Sequence, residues 1–192
     1  MGEMHAKKIA KVVDMANKAR APLVGIWDGG GQRAHEGVTA LGGTGELMDR
    51  LVQCSGKIPM ISVVLGSVTG ASALCAGLSD FIILSDDNGQ MFLSSPLETP
   101  EVIEGELDAN GLGGASLHAS RSGIACLLAE DEEEGMELVA DILAFMPDHC
   151  MAVPPISPSG DPEDRENTIL RDFIPDNPNK PYDMTKIIEE IV

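Results

Sequence analysis

The chain has 192 residues, enough for one domain with a sizeable core, and its 43% hydrophobic content excludes general disorder. Its formal charge is 13 − 31 = −18, the wrong sign for nucleic acid or an anionic membrane surface as a partner. Aromatics are only 3% beside 21 glycines and 10 methionines, so the core is expected to pack backbones closely, with methionine as filler.

Apolar positions at Ala6, Ile9, Val12, Val13 and Ala16 recur at helical spacing and predict a helix over Glu3–Lys18. This start is amphipathic and lacks a continuous apolar run, so no signal peptide is expected and the chain is assigned to the cytoplasm. A strand over Pro22–Trp27 leads into a glycine turn, Asp28-Gly29-Gly30-Gly31-Gln32-Arg33. A helix is expected from Gly37 to Cys54, then a strand from Ile58 to Leu65. That strand enters a second turn, Gly66-Ser67-Val68-Thr69-Gly70, which opens a small-residue helix ending near Leu78. No charge lies between Ile58 and Ser79, about the ~20 residues a membrane helix needs. Pro59, Gly66 and Gly70 break the run, so it reads as a buried strand, turn and helix, with no membrane span.

Phe81–Leu84 predicts a third strand, Asp86-Asp87-Asn88-Gly89 a turn, and Gln90–Leu93 a fourth strand. A helix is expected to begin at Pro100 behind a Thr99 cap. Gly111–Gly123 reads as an ordered loop, and Asp131–Phe145 as the last long helix. The acidic run Glu130–Glu134 then complements the positive end of that helix. Proline-rich stretches at Pro154–Pro162 and Pro175–Pro181 lead to a short helix capped by Asp183 and running through Ile188. The chain is therefore divided at 148/149, with residues 1–148 forming an α/β domain with a largely parallel sheet. Cys54, Cys75, Cys126 and Cys150 form no CxxC pair, so they are expected to be reduced and mostly buried, with neither a disulfide frame nor a metal site.

Side chains are nearly absent at both glycine turns, so chemistry there must use backbone N–H groups, the donors that hold an oxyanion or a phosphate. The N–H groups of Gly70 and Ala71 are expected to be unpaired donors at a helix start, placed to hold a thioester carbonyl as it becomes an enolate. The same residues equally suit close packing of a central helix. Neither a G-x-G-x-x-G helix start, a phosphate-binding P-loop nor a G-x-S-x-G elbow is present. Arg33, His35 and Glu36 read as an ion pair orienting the loop before they read as a nucleophile–base set.

The segment Asp28-Gly29-Gly30-Gly31-Gln32-Arg33-Ala34-His35-Glu36-Gly37 resembles the "DSGGARIQEG" segment of acyl-CoA carboxyltransferases. These are the β subunits of biotin-dependent propionyl-CoA and acetyl-CoA carboxylases and the related methylmalonyl-CoA decarboxylases. Ser55–Ser62 is similar to their "SGVIPQIS", and Gly66–Phe81 to "GPCAGGAVYSPALTDF". Gly113-Gly114-Ala115, His118 and Ser122-Gly123 match "LGGA..H...SGV", and Pro181–Met184 resembles "AYNM". The resemblance runs in order along essentially the whole chain.

It implies a crotonase-like (ClpP/crotonase) ββα superhelix, incomplete at its N-terminus, with residues 149–192 leading into a second domain. It implies an acyl-CoA substrate and biotin, as carboxybiotin on a biotin carboxyl carrier protein. In the family, two successive amides after the second glycine turn form an oxyanion hole; they map to Gly70 and Ala71, where alanine keeps the N–H and its methyl trims the pocket. Gly30 and Gly31 would face the same crevice. Gly29, Gln32, Arg33, Gly66, Thr69 and His118 fall at the acyl-CoA surface, although His118 also reads as a structural histidine. The implied mechanism needs no protein base: carboxybiotin releases carbon dioxide, the biotin enolate takes the α-proton, and the acyl-CoA enolate captures the carbon dioxide. Family members carry further strands upstream and a second domain that meets biotin in a neighbouring protomer. The chain is thus expected to work in a homo-oligomer or with neighbouring subunits, and to be inactive alone. Two alternatives stand beside this reading: a crotonase-type hydratase or isomerase using Glu36, and a non-catalytic assembly subunit of a carboxylase.

Overall fold

A computed structural model describes residues 1–94, 108–158, 160, 162 and 164–192. The helix expected from Pro100 with its Thr99 cap lies outside the described residues. The chain forms two compact units, Met1–Pro155 and Ile156–Val192. The first unit extends past residue 148 because the Cys150 N–H donates to the Lys57 carbonyl at 2.9 Å.

In the first unit, α1 (Glu3–Ala19) precedes β1 (Leu23–Gly29), a 3-10 turn (Ala34–Glu36) and α2 (Val38–Cys54). β2 (Met60–Thr69), α3 (Ala71–Gly77), β3 (Phe81–Ser85) and β4 (Gln90–Phe92) follow. Then come α4 (Ala109–Gly113), α5 (Ala115–Leu117), a π-helical turn (His118–Ser122), β5 (Leu127–Ala129) and α6 (Glu132–Phe145). The strands run parallel in the order β1-β2-β3-β5, and β4 pairs with the far end of β2. β2 is central and nearly all buried, as its unbroken apolar run requires.

Helices cover both faces. Ala10 and Val13 of α1 pack with Leu47 and Leu51 of α2 over Met60. On the other face, Val139 and Ile142 of α6 pack on Ile61, Val63 and Ile83. The α6 start is built as its acids predict: Asp131 Oδ1 accepts the Glu134 N–H at 3.0 Å, and Glu132, Glu133 and Glu134 fill the first turn.

Four expectations are corrected. β1 runs on through Asp28 to Gly29, and β2 through Gly66 to Thr69, so Gly66 lies within a strand and not at a turn. Continued pairing with β4 carries β2 forward. Gly111–Gly123 is a succession of short helical turns, started by Asp108, whose side chain accepts the Gly111 N–H at 2.7 Å. β5 was not foreseen, since three residues are too few to show a period. Cys54 and Cys75 are buried, whereas Cys126 and Cys150 are exposed.

The second unit holds α7 (Leu170–Phe173) and α8 (Met184–Ile191). Asp183 Oδ1 accepts the Thr185 N–H at 3.0 Å, the cap its position predicted. α8 continues past Ile188 because Arg165 donates to the carbonyls of Glu190 and Ile191 at 3.0 and 2.9 Å. Among the described residues, no helix is long and apolar enough to cross a membrane.

Candidate active site

The two glycine segments meet at the carboxyl ends of β1 and β2, the end of a parallel sheet where ligands bind. Gly29 pairs with Val68 after a register shift that follows Trp27. The Asp28 carboxylate fills the space where a Gly66 side chain would stand, so Gly66 serves a close approach. A Cβ on Gly31 would lie 3.2 Å from Thr69 Oγ1, and one on Gly70 3.5 Å from Gln32 Oε1. Gln32 is held by its amide N–H, which donates to the buried Thr44 hydroxyl at 3.4 Å. Gly70 has φ 61° and ψ −133°, a conformation open to glycine alone. Around Gly29 and Gly30 an added Cβ would meet nothing within 4 Å, so that side of the crevice is open.

The donors are not distributed as expected. The Gly70 N–H already donates to the Phe92 carbonyl at 2.9 Å, extending the β2–β4 ladder by one residue, and is not an unpaired helix-start donor. The Ala71 N–H, and those of Gly30 and Gly31, have no acceptor among the described residues. Both segments therefore keep main-chain donors without an acceptor among the described residues, Ala71 being the one at the start of α3.

Arg33, Glu36 and His118 are engaged. Arg33 Nη1 lies 3.4 Å from Glu36 Oε1, the ion pair anticipated from sequence. Glu36 Oε2 also accepts the Glu3 N–H at 2.7 Å, capping α1; this bond holds the Glu36 carboxyl below its ordinary 4.5. His118 is buried, with Nε2 2.9 Å from the Met91 carbonyl and Nδ1 2.8 Å from Ser122 Oγ. A carbonyl only accepts, so Nε2 carries the proton, and neither ring nitrogen is left for a ligand. Both ring nitrogens of His118 are thus held within the fold.

Two cavities flank α3. One of about 380 Å³ is bounded by Trp27, Asp28, Gly29, Gly30, Val68 and Ser72, with Met1, His5 and Ile9 of the N-terminal segment. The other, about 580 Å³, is lined chiefly by Leu74, Leu78, Met91, Phe92 and Leu93, with His118 in its wall. Sequence reasoning missed three supporting residues, Ser62, Ser79 and Thr44. Trp27 Nε1 donates to Ser62 Oγ at 2.8 Å, and Ser62 lies 2.7 Å from Ser79 Oγ. A hydroxyl inside an apolar strand, as at Ser62, was the available signal. Thr44 gave none, because a threonine in a glycine-rich helix has no telling pattern.

The family profile of the carboxyl transferase domain matches residues 1–192. The chain belongs to this family. The α subunit of methylmalonyl-CoA decarboxylase from Veillonella parvula is 41% identical over 192 residues, which are all of this chain and 38% of that protein. The propionyl-CoA carboxylase β chain of Roseobacter denitrificans is 37% identical over 191 residues, again the whole chain and 38% of the relative. A solved transcarboxylase 12S core, described as a hexamer with methylmalonyl-coenzyme A and methylmalonic acid bound, superposes with a TM-score of 0.84 at 30% identity. It matches all of this chain and 37% of its own. This carboxyl transferase domain thus has the crotonase-like α/β fold of those proteins, and it spans about 38% of the length of the curated relatives it matches.

Proposed function

We propose that this carboxyl transferase domain binds an acyl-CoA thioester and stabilises its enolate through main-chain amides, as one part of a biotin-dependent carboxyltransferase. The observation that carries this reading is the crevice itself. Two side-chain-poor segments from adjacent strands come so close that a Cβ on Gly31 would lie 3.2 Å from Thr69 Oγ1 and one on Gly70 3.5 Å from Gln32 Oε1. They leave the amides of Ala71, Gly30 and Gly31 without an acceptor among the described residues.

In this reading the thioester oxygen accepts from the Ala71 N–H, with the Gly30 and Gly31 amides on the opposing segment. Such donors favour the enolate over the neutral ester because negative charge accumulates on oxygen only as the α-proton leaves. Gly70 contributes geometry: bonded to Phe92, it fixes where α3 begins and so where the Ala71 N–H points. Gln32, Gly29, Gly66 and Thr69 shape the walls. Carboxybiotin, brought by a carrier protein, supplies the carboxyl group and the proton acceptor. An added Cβ at Gly29 or Gly30 would meet nothing within 4 Å, which leaves that side open to its approach. Arg33 acts on the site through its pair with Glu36. The domain works beside further carboxyltransferase regions or neighbouring copies, in the cytoplasm.

The hydratase or isomerase alternative needs a free acid or base, and Glu36 was its only candidate. Its carboxylate already caps α1 and faces Arg33, which disfavours that reading.

The test is amide hydrogen exchange with and without an acyl-CoA, in the chain together with its carboxylase subunits. Slowed exchange at Gly30, Gly31 and Ala71 supports the assignment. Unchanged exchange there despite measurable acyl-CoA binding overturns it.

A further inference from the structure

We propose that a cavity at the amino-terminal end of the sheet binds a phosphate-type oxyanion through Arg20, Lys57 and His149. It lies at the end of β1 and β2 opposite the glycine crevice, so it is a second site, independent of the Ala71, Gly30 and Gly31 amides.

Parallel pairing assembles it. Leu23 pairs with Met60 where β1 and β2 begin, and the Leu23 N–H donates to the Pro59 carbonyl at 2.8 Å. Arg20 stands three residues before Leu23 (23 − 20) and Lys57 three before Met60 (60 − 57), so the register brings two cations to one place. The Cys150 N–H donates to the Lys57 carbonyl at 2.9 Å and ties the segment after α6 to them. Arg20, Lys57 and His149, with Asn17, border a cavity of about 180 Å³. Water takes ~30 Å³ a molecule in the liquid, so this space admits a phosphate-sized anion with bound water.

Charge sets the sign of the ligand. The chain carries −18, yet no Asp or Glu borders this cavity. Arg20 and Lys57 take part in no ion pair among the described residues. The last acid of α1, Asp14, faces Arg50, and Asp80 in the adjoining hollow accepts the Met60 N–H at 2.8 Å. Arg20 and Lys57 follow the carboxyl ends of α1 and α2, each worth about half a negative charge. Those two ends offset about one cation, and the other is left uncompensated.

The donors suit an oxyanion. Arg20 caps α1 with φ 56° and ψ 46°, and it alone among the described non-glycine residues has positive φ. Glycine usually fills that place, so an arginine is held there against its backbone preference. His149 Nδ1 accepts the Met151 N–H at 3.2 Å, so the neutral ring carries its proton on Nε2. Nε2 has no partner among the described residues and remains a donor. Guanidinium, ammonium and imidazole N–H thus come from three separate segments. A tetrahedral oxyanion, with acceptors in four directions, meets all three better than a planar carboxylate does.

The probe is inorganic phosphate, titrated calorimetrically into the full chain at constant ionic strength against chloride. One saturable site is expected, with amide shifts gathered at Arg20, Lys57 and His149, and acetate binding at least tenfold more weakly. Arg20→Gly suits the left-handed backbone and keeps the fold. It and Lys57→Met should each weaken binding at least about tenfold, the usual effect of losing a hydrogen bond to a charged group. His149→Asn keeps an acceptor for the Met151 N–H but removes the Nε2 donor, and should cost less. Displacement of phosphate by AMP assigns the site to the phosphate group of a larger ligand; no displacement assigns it to the free anion, and either upholds it. No saturable binding at high millimolar phosphate overturns the proposal. So does equal binding of acetate, or unchanged affinity in a folded Arg20→Gly, Lys57→Met double variant.

Discussion

The Gly70 amide donates to the Phe92 carbonyl at 2.9 Å, so α3 presents its first unengaged N–H one residue later, at Ala71. Ala71 is the first helical residue, where proline is tolerated because its missing N–H has no helical partner to lose. Ala71→Pro therefore removes the proposed donor while keeping the helix. Carboxyl transfer by the assembled enzyme should fall ~10²–10³-fold, the usual effect of deleting one oxyanion donor. Ala71→Gly should retain activity. Equal rates for wild type and Ala71→Pro, with the circular dichroism unchanged, would show that this amide takes no part.

The link from Glu36 to the Glu3 amide predicts a pH dependence. The bond stabilises the ionised carboxylate, so Glu36 has a lower value folded than unfolded. A depressed folded value contributes stability that is fully present above the ordinary 4.5 and is lost as pH falls below it, through the folded value. Glu36→Gln should melt below wild type at pH 7, and the gap should close as the pH is lowered through that window. Thermal melts at a series of pH values read this directly; a gap that widens towards acid contradicts the assignment.

Much of the fold was legible because β2 and α1 carry long, clean patterns: an unbroken apolar run for a buried strand, a 3.6-residue period for a helix. The turn at Asp86–Gly89 was legible too, and its glycine has a packing reason, since an added Cβ would lie 2.7 Å from the Val64 carbonyl oxygen. Strand ends were not legible. Gly66 and Asp28 look like turn formers, yet each extends a strand, because the glycine makes room for the carboxylate of a neighbour 38 residues away in sequence (66 − 28). The site was half legible. Glycine density located the crevice, but the fate of the Gly70 N–H depends on β4 arriving beside β2, which no local pattern encodes. His118 shows the same limit: only the fold reveals that Met91 and Ser122 use both its nitrogens.

Ser62 is fully buried inside β2 and receives the Trp27 indole N–H. Ser62→Ala leaves that donor without its acceptor, and an unmet buried donor costs ~1–3 kcal/mol. Urea unfolding followed by the single tryptophan should show a loss of this size, with a red-shifted native emission as the indole re-seeks a partner. Ser79→Ala should cost less, because it removes only the second hydroxyl of the chain. If the two variants prove equally stable, the indole bond is not what Ser62 supplies.

The four thiols should divide into two classes. Burial pushes the Cys75 thiol up to about 11 and raises Cys54 as well, so both stay protonated and shielded at neutral pH. Cys126 and Cys150 are exposed and unpaired. A thiol reagent such as Ellman's should titrate two groups rapidly in the native protein at pH 8 and four in denaturant, with Cys126→Ser and Cys150→Ser each removing one fast equivalent. Four fast equivalents in the native state would mean that the α2 end and α3 open readily. That result would undercut the fixed helix start on which the Ala71 amide depends.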